Sequence, residues 1–167
     1  MTDADASART GLGPVPAPAP VGDDLADQPP AAGHRVVPRT SDCVIEAWGP
    51  DAAACVSEAL EALVEGFAEV LDTPSSRVLP LAAAPGGAED GLVALLEDVI
   101  YTVDVFSVVP VRFHLALSEG GAIAGDMEVV PLDQVVIVGP MPRAVSYHEL
   151  SMTARPGGWR CRVLIEV

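Results

Sequence analysis

Apolar residues recur along this chain with two periods, and each period predicts a kind of element. Between Asp51 and Asp72, Val56, Leu60, Leu63, Val64, Phe67 and Leu71 fall three or four residues apart, while Glu58, Glu61, Glu65 and Glu69 take the other side. That spacing predicts one amphipathic helix whose Glu row is a solvated face. A second helix, capped by Asp90 after a loop from Pro85 to Ala88, buries Leu92, Leu95, Leu96, Val99, Ile100 and Val103 and exposes Glu97, Asp98 and Asp104. Elsewhere the period is two. "DCVIEAWG" (Asp42 to Gly49) is a strand halted by Gly-Pro, and "RVLPLAAA" (Arg77 to Ala84) is another. "VRFHLALS", "GAIAGDMEVVP", "AVSYHELSM" and "WRCRVLIEV" complete the set, the first two joined as a hairpin through "SEGGA". In the last strand Trp159, Cys161, Val163, Ile165 and Val167 alternate with Arg160, Arg162, Leu164 and Glu166, giving one apolar face and one mostly polar face.

One-sided helices and one-sided strands bury their apolar surfaces most simply as two layers. The expected fold is therefore α+β, a two-layer sandwich with two main helices packed on a largely antiparallel (mixed) sheet. Residues 1–33 are rich in Ala, Pro, Asp and Gly and nearly devoid of large apolar side chains. Burial there cannot offset the entropy of ordering, so a disordered tail is expected, followed by one folded domain over 34–167.

Charge narrows the function. The 24 acidic residues face nine basic ones, giving a net charge of -15, and every basic residue is Arg because the sequence holds no Lys. Lys nucleophiles, Schiff bases and phosphate-gripping Lys are excluded. The field opposes a phosphate backbone, so no direct nucleic-acid binding is expected, whereas divalent cations and basic partners are attracted. Cys43, Cys55 and Cys161 lack a CxxC spacing and are odd in number, which fits reduced thiols in a cytoplasmic protein better than a disulfide framework or zinc site. No apolar run reaches membrane-spanning length, and the N-terminus has no signal-peptide pattern.

No nucleophile elbow, HExxH or Gly-rich phosphate loop occurs, and His34, His114 and His148 share no ligand spacing, so the chain does not read as an enzyme. One juxtaposition stands out. If the strand opening at Asp42 and the strand closing at Glu166 are antiparallel neighbours, their carboxylates and the main-chain oxygens of Val167, at the end of the chain, meet at one place. Such hard oxygens suit calcium, magnesium or manganese in a shallow site completed by water.

The same residues carry a resemblance. "RTSDCVIEAWGP" resembles the opening motif of the archease family, a His-Thr-Ala-Asp segment running into a strand and a Trp-Gly or Tyr-Gly turn. "RAVSYHEL" followed by "GGWRCRVLIEV" is similar to the family's closing pattern, and "LVALLEDVIYTVD" to its second helix; together the blocks cover about residues 36–167. The resemblance implies a small domain that activates the tRNA-splicing RNA ligase, promoting its guanylylation and repeated turnover without itself cutting or joining RNA. It also implies a metal site, carried over onto Asp42, Glu166 and Val167, with Arg143 at a partner or nucleotide contact. Arg39 stands where the family has His, Ser41 where it has Ala, Arg143 where it has Lys and Glu166 where it has Asp. The alternative is a chaperone-like interaction module that has kept the fold and lost the metal.

Overall fold

The computed structural model describes residues 31–83 and 86–167; the expected tail, residues 1–30 of it, and the loop residues Ala84 and Pro85 lie outside them. The described chain opens with β1 (Gly33–Pro38), which the sequence pattern had not assigned, then β2 (Asp42–Gly49) and α1 (Ala52–Glu65). A two-residue β3 (Ala68–Glu69) and β4 (Arg77–Ala82) lead to α2 (Ala88–Phe106). β5 (Val108–Leu117), β6 (Ile123–Pro131), a 3-10 turn (Leu132–Gln134), β7 (Val136–Ile137), β8 (Ala144–Arg155) and β9 (Gly158–Glu166) follow.

The strands form a four-stranded sheet ordered β1-β2-β9-β8, a three-stranded sheet ordered β4-β6-β5 and a ribbon of β3 with β7. Every ladder among the described residues is antiparallel, so the fold is α+β with its helices against antiparallel sheets. α1 lies against β2 and also against β5, which places it between the two larger sheets, while α2 lies against β8, β5 and β4. The main core joins Val56, Leu60 and Leu63 of α1 and Leu92, Leu95, Leu96 and Val99 of α2 to Ile45, Val163 and Ile165. A smaller cluster gathers Val64, Phe67, Val103, Val109 and Val130.

Both helices differ from expectation at an end. α1 stops at Glu65 rather than reaching Asp72, because Ala68–Glu69 pair with Val136–Ile137 and the Val138 N–H donates to the Phe67 carbonyl. Phe67 is still buried, but in the smaller cluster, and Leu71 is 53% exposed. α2 starts at Ala88 after an N-cap at Gly87 that makes no side-chain bond; Asp90 lies in the first turn, favourable to the helix dipole without capping it. The expected hairpin closes β5 onto β6, with the Gly121 N–H donating to the Ser118 carbonyl and Gly121 at φ 79°.

Two glycine motifs abut at one end of the four-stranded sheet. A Cβ on Gly49 would sit 2.7 Å from the Cys55 nitrogen, so the turn from β2 into α1 admits no side chain. At Gly158, with φ 157°, an added Cβ would collide with the Gly49 carbonyl oxygen, and β9 starts there.

Candidate functional site

β2 and β9 run antiparallel in the register Asp42↔Glu166, so the residue opening the one strand faces the residue closing the other. Directly opposed residues in an antiparallel ladder point to the same face. Ile45, Ala47, Cys161 and Val163 belong to the core, so Asp42, Glu46, Arg162 and Glu166 project from the face turned away from the helices. Glu166 is exposed, while the Asp42 side chain keeps only 25% of its exposure. Its Oδ1 is fully buried without a hydrogen-bond partner. A buried carboxylate oxygen left unsatisfied is costly, and a cation is one of the few things that would satisfy it.

The third expected position is tied to this end of the sheet through the backbone: the Val167 N–H reaches the Ser41 carbonyl at 3.4 Å. Asp42, Val167 and Arg39 line a small cavity of ≈ 110 Å³ whose other walls are mostly apolar, Leu63, Pro142 and Ile165 among them, and which Glu166 does not reach. The donors available, two carboxylates and a main-chain oxygen, fit a hard divalent ion. Arg143 is brought alongside, its N–H donating to the Glu166 carbonyl at 2.8 Å. It is exposed and lines a cleft of ≈ 590 Å³ with Glu97, Tyr101 and Asp104 of α2.

An ion ladder covers the same outer face. Glu46 pairs with both Arg35 and Arg162, Glu149 pairs with Arg162 and Arg39 at 3.1 Å each, and the Arg39 Nε lies 4.0 Å from Asp42 Oδ1. Arg35 first, with Arg162, holds the Glu46 carboxyl below its usual range, and Arg162 with Arg39 does the same for Glu149. Period-two reading could not locate Glu149. Ser146 pairs with Leu164 and Ser151 with Arg162, so β8 carries three more residues than β9 between those pairs. This bulge holds Glu149 at φ 61° and delivers its carboxylate over the neighbouring strands. A positive φ at a non-glycine residue is the only local mark of it, and sequence does not display that.

A second cluster engages α1's Glu row, in which Glu61, Glu65 and Glu69 are exposed as expected and Glu58 is partly buried. His34 Nδ1 lies 2.6 Å from Glu58 Oε2 and its Nε2 2.8 Å from Glu65 Oε2, pinning β1 to α1. Ligand-capable atoms of His34, Glu58 and Glu61 all lie within 4.8 Å of one another, without an ion being needed to explain the contacts. Burial disfavours the charged imidazole, but Glu65 and Glu58 outweigh it and raise the His34 pKa above 6.5. Burial, with Glu58 nearby, likewise raises the Glu61 carboxyl. The missed signal was β1 itself, a short edge strand none of whose residues is fully buried. His114 bonds Glu128 at 3.0 Å on the other sheet, far in topology from Asp42. The three cysteines are free thiols. Among the described residues no helix is long and apolar enough to cross a membrane.

Known proteins resemble this chain in sequence and in fold. Residues 34–167 match the profile of the Archease protein family (MTH1598/TM1083). The "Probable protein archease" of Mycobacterium tuberculosis, in strains CDC 1551 / Oshkosh and H37Rv alike, is 35% identical over 139 residues, covering 82% of this chain and 76% of that protein. In fold, the solution structure of Methanobacterium thermoautotrophicum protein 1598 is similar with a TM-score of 0.67 at 15% identity, covering 81% of this chain and 99% of that one. The crystal structure of a Thermotoga maritima protein described as an archease and possible chaperone gives a TM-score of 0.56 at 19% identity, covering 78% and 94%.

Proposed function

The chain belongs to the archease family, and from that premise we propose that it is a non-catalytic activator of a tRNA-splicing RNA ligase, promoting ligase guanylylation and repeated turnover. The observation that carries this reading is the Asp42↔Glu166 register with the buried Asp42 Oδ1, which accepts no hydrogen bond. A calcium, magnesium or manganese ion would be held there by Asp42, Glu166 and the Val167 main-chain oxygen, and would supply positive charge against phosphate oxygens. Asp42 is fixed by the strand ladder, so it brings its oxygen to a partner at little cost in ordering. Arg143, exposed and hydrogen-bonded through its backbone to Glu166, offers a planar cation to the partner or its nucleotide. The net charge of -15 favours docking on a basic surface, which a protein that holds RNA must present.

One observation favours the second reading, a chaperone-like interaction module without metal. Arg39, where the family has His, already sets a guanidinium 4.0 Å from Asp42 Oδ1 and so places one positive charge beside the carboxylate.

Guanylylation of the tRNA-splicing ligase from the same organism, timed with and without this protein, separates the two. The activator reading expects a faster reaction with the wild-type chain, abolished by Asp42→Ala and retained by Arg77→Ala. Equal rates with wild type, Asp42→Ala and no addition would remove it.

A further inference from the structure

Arginine is concentrated where the rest of the molecule is acidic. Outward-facing residues of all four strands meet in two cross-strand rows: Arg35, Glu46, Arg162 and Ser151 in one, Gly33, Trp48, Arg160 and Thr153 in the next. They form a cleft of ≈ 410 Å³ that Arg155, at the tip of the β8-β9 hairpin, also lines. Four guanidinium groups thus face one carboxylate, Glu46, in a chain of net charge -15. Glu46 and Glu149 engage Arg35 and Arg162. Arg155 and Arg160 have no carboxylate partner among the described residues, so their charge is unspent within the fold.

Arg160 is held ready. Its guanidinium carbon stands 6.0 Å from the centroid of the Trp48 ring, a cation-π distance. The ring in turn lies against Gly33, where an added Cβ would come 2.8 Å from Trp48 Cζ2. Stacking on Trp48 leaves the N–H fork of Arg160 free along its edge, the geometry that matches two oxygens of one phosphate. The hydroxyls of Ser151 and Thr153 stand in the same two rows as further donors.

We propose that this cleft binds the phosphate groups of a small anion, a di- or triphosphate such as a nucleotide carries, with Arg155 and Arg160 as its chief contacts. Size and field both select a small ligand. The volume is within the range of small-molecule sites, about 300–1,000 Å³. A nucleic-acid strand would have to run beyond the cleft over acidic ground, which repels it. The cleft is distinct from the carboxylate edge: Trp48 is six residues along β2 from Asp42, ~20 Å of extended chain.

Calorimetric titration of the full chain with ADP, inorganic pyrophosphate and adenosine, in chelator and at low ionic strength, tests this. Pyrophosphate and ADP are expected to bind the wild type and Asp42→Ala alike, and adenosine to give no heat. In Arg155→Ala/Arg160→Ala, whose altered side chains are exposed, affinity is expected to fall at least ~10-fold, as loss of charge-assisted hydrogen bonds requires. Arg77→Ala serves as the matched loss of one charge and should bind as wild type. Unchanged melting temperature of the double variant shows that the fold is intact. No heat from either phosphate at millimolar concentration, or equal binding by the double variant, overturns the proposal. Dependence of binding on Asp42 would do so too, because it would move the phosphates to the carboxylate edge.

Discussion

At the scale of the residue, a few positions decide more than their neighbours do. Gly158 combines φ 157° with a Cβ direction blocked by the Gly49 carbonyl, so any side chain there meets both strain and a clash. Gly158→Ala is expected to cost roughly 2 kcal/mol or more of stability in urea unfolding, against a few tenths for an exposed loop substitution. His34 sets a pH-dependent latch between β1 and α1. Its folded pKa lies above the unfolded value of 6.5, so its contribution is whole below pH 6.5 and is lost as pH rises through the folded value. His34→Gln should therefore be about 1 kcal/mol less stable than wild type at pH 6, with most of the difference gone at pH 9. Equal differences at both pH values would show that the imidazolium is not what holds the strand.

At the scale of the element, local chemistry and tertiary pairing divide the work. α1 is capped by Asp51, whose Oδ1 accepts from the Ala54 N–H at 2.8 Å. Asp51→Ala should lower stability by about 1 kcal/mol in chemical denaturation, and Asp51→Ser should restore most of it. The two amphipathic helices were legible because each has one wet and one dry side over many residues, and β2, β6 and β9 because β-branched and apolar runs end at Gly and Pro, although Val44 and Leu164 are buried on the outer face as well. The stripe from Leu92 to Val103 is buried as its spacing required. What was illegible depends on partners distant in sequence. Ala68–Glu69 continue a helical pattern and become strand only because Val136–Ile137 lie beside them. β1 alternates too briefly to be told from a tail, and its pairing with β2 turns the Glu58 and Glu65 carboxylates toward His34. The bulge in β8 leaves no mark in the period of "AVSYHELSM", yet it carries Glu149 into the ion ladder. For the candidate site, the pairing that sets Asp42 opposite Glu166 was legible from the two alternating strands, and Arg143 was singled out through the family resemblance alone, whereas the burial of Asp42 Oδ1 and the approach of Arg39 were not legible.

At the scale of the whole molecule, the acidic excess is distributed unevenly and the sheet exploits it. Thirteen carboxylates and one Arg lie between Asp42 and Asp104, while five of nine Arg follow residue 105, three of them around the outer face of the four-stranded sheet. Self-repulsion at net charge -15 opposes compaction, so raising ionic strength with NaCl to about 0.3 M should raise the melting temperature through screening. A fall on adding salt would mean that the ion ladder outweighs the general repulsion. The acidic end of the sheet is the part on which the functional account depends, and titration calorimetry with calcium, magnesium and manganese, paired with thermal unfolding, examines it most directly. At least one ion should release or absorb measurable heat and raise the melting temperature of the wild-type chain, with affinity lowered ~10-fold or more in Asp42→Ala. No heat and no stabilisation from any of the three ions would contradict a metal site at Asp42 and Glu166.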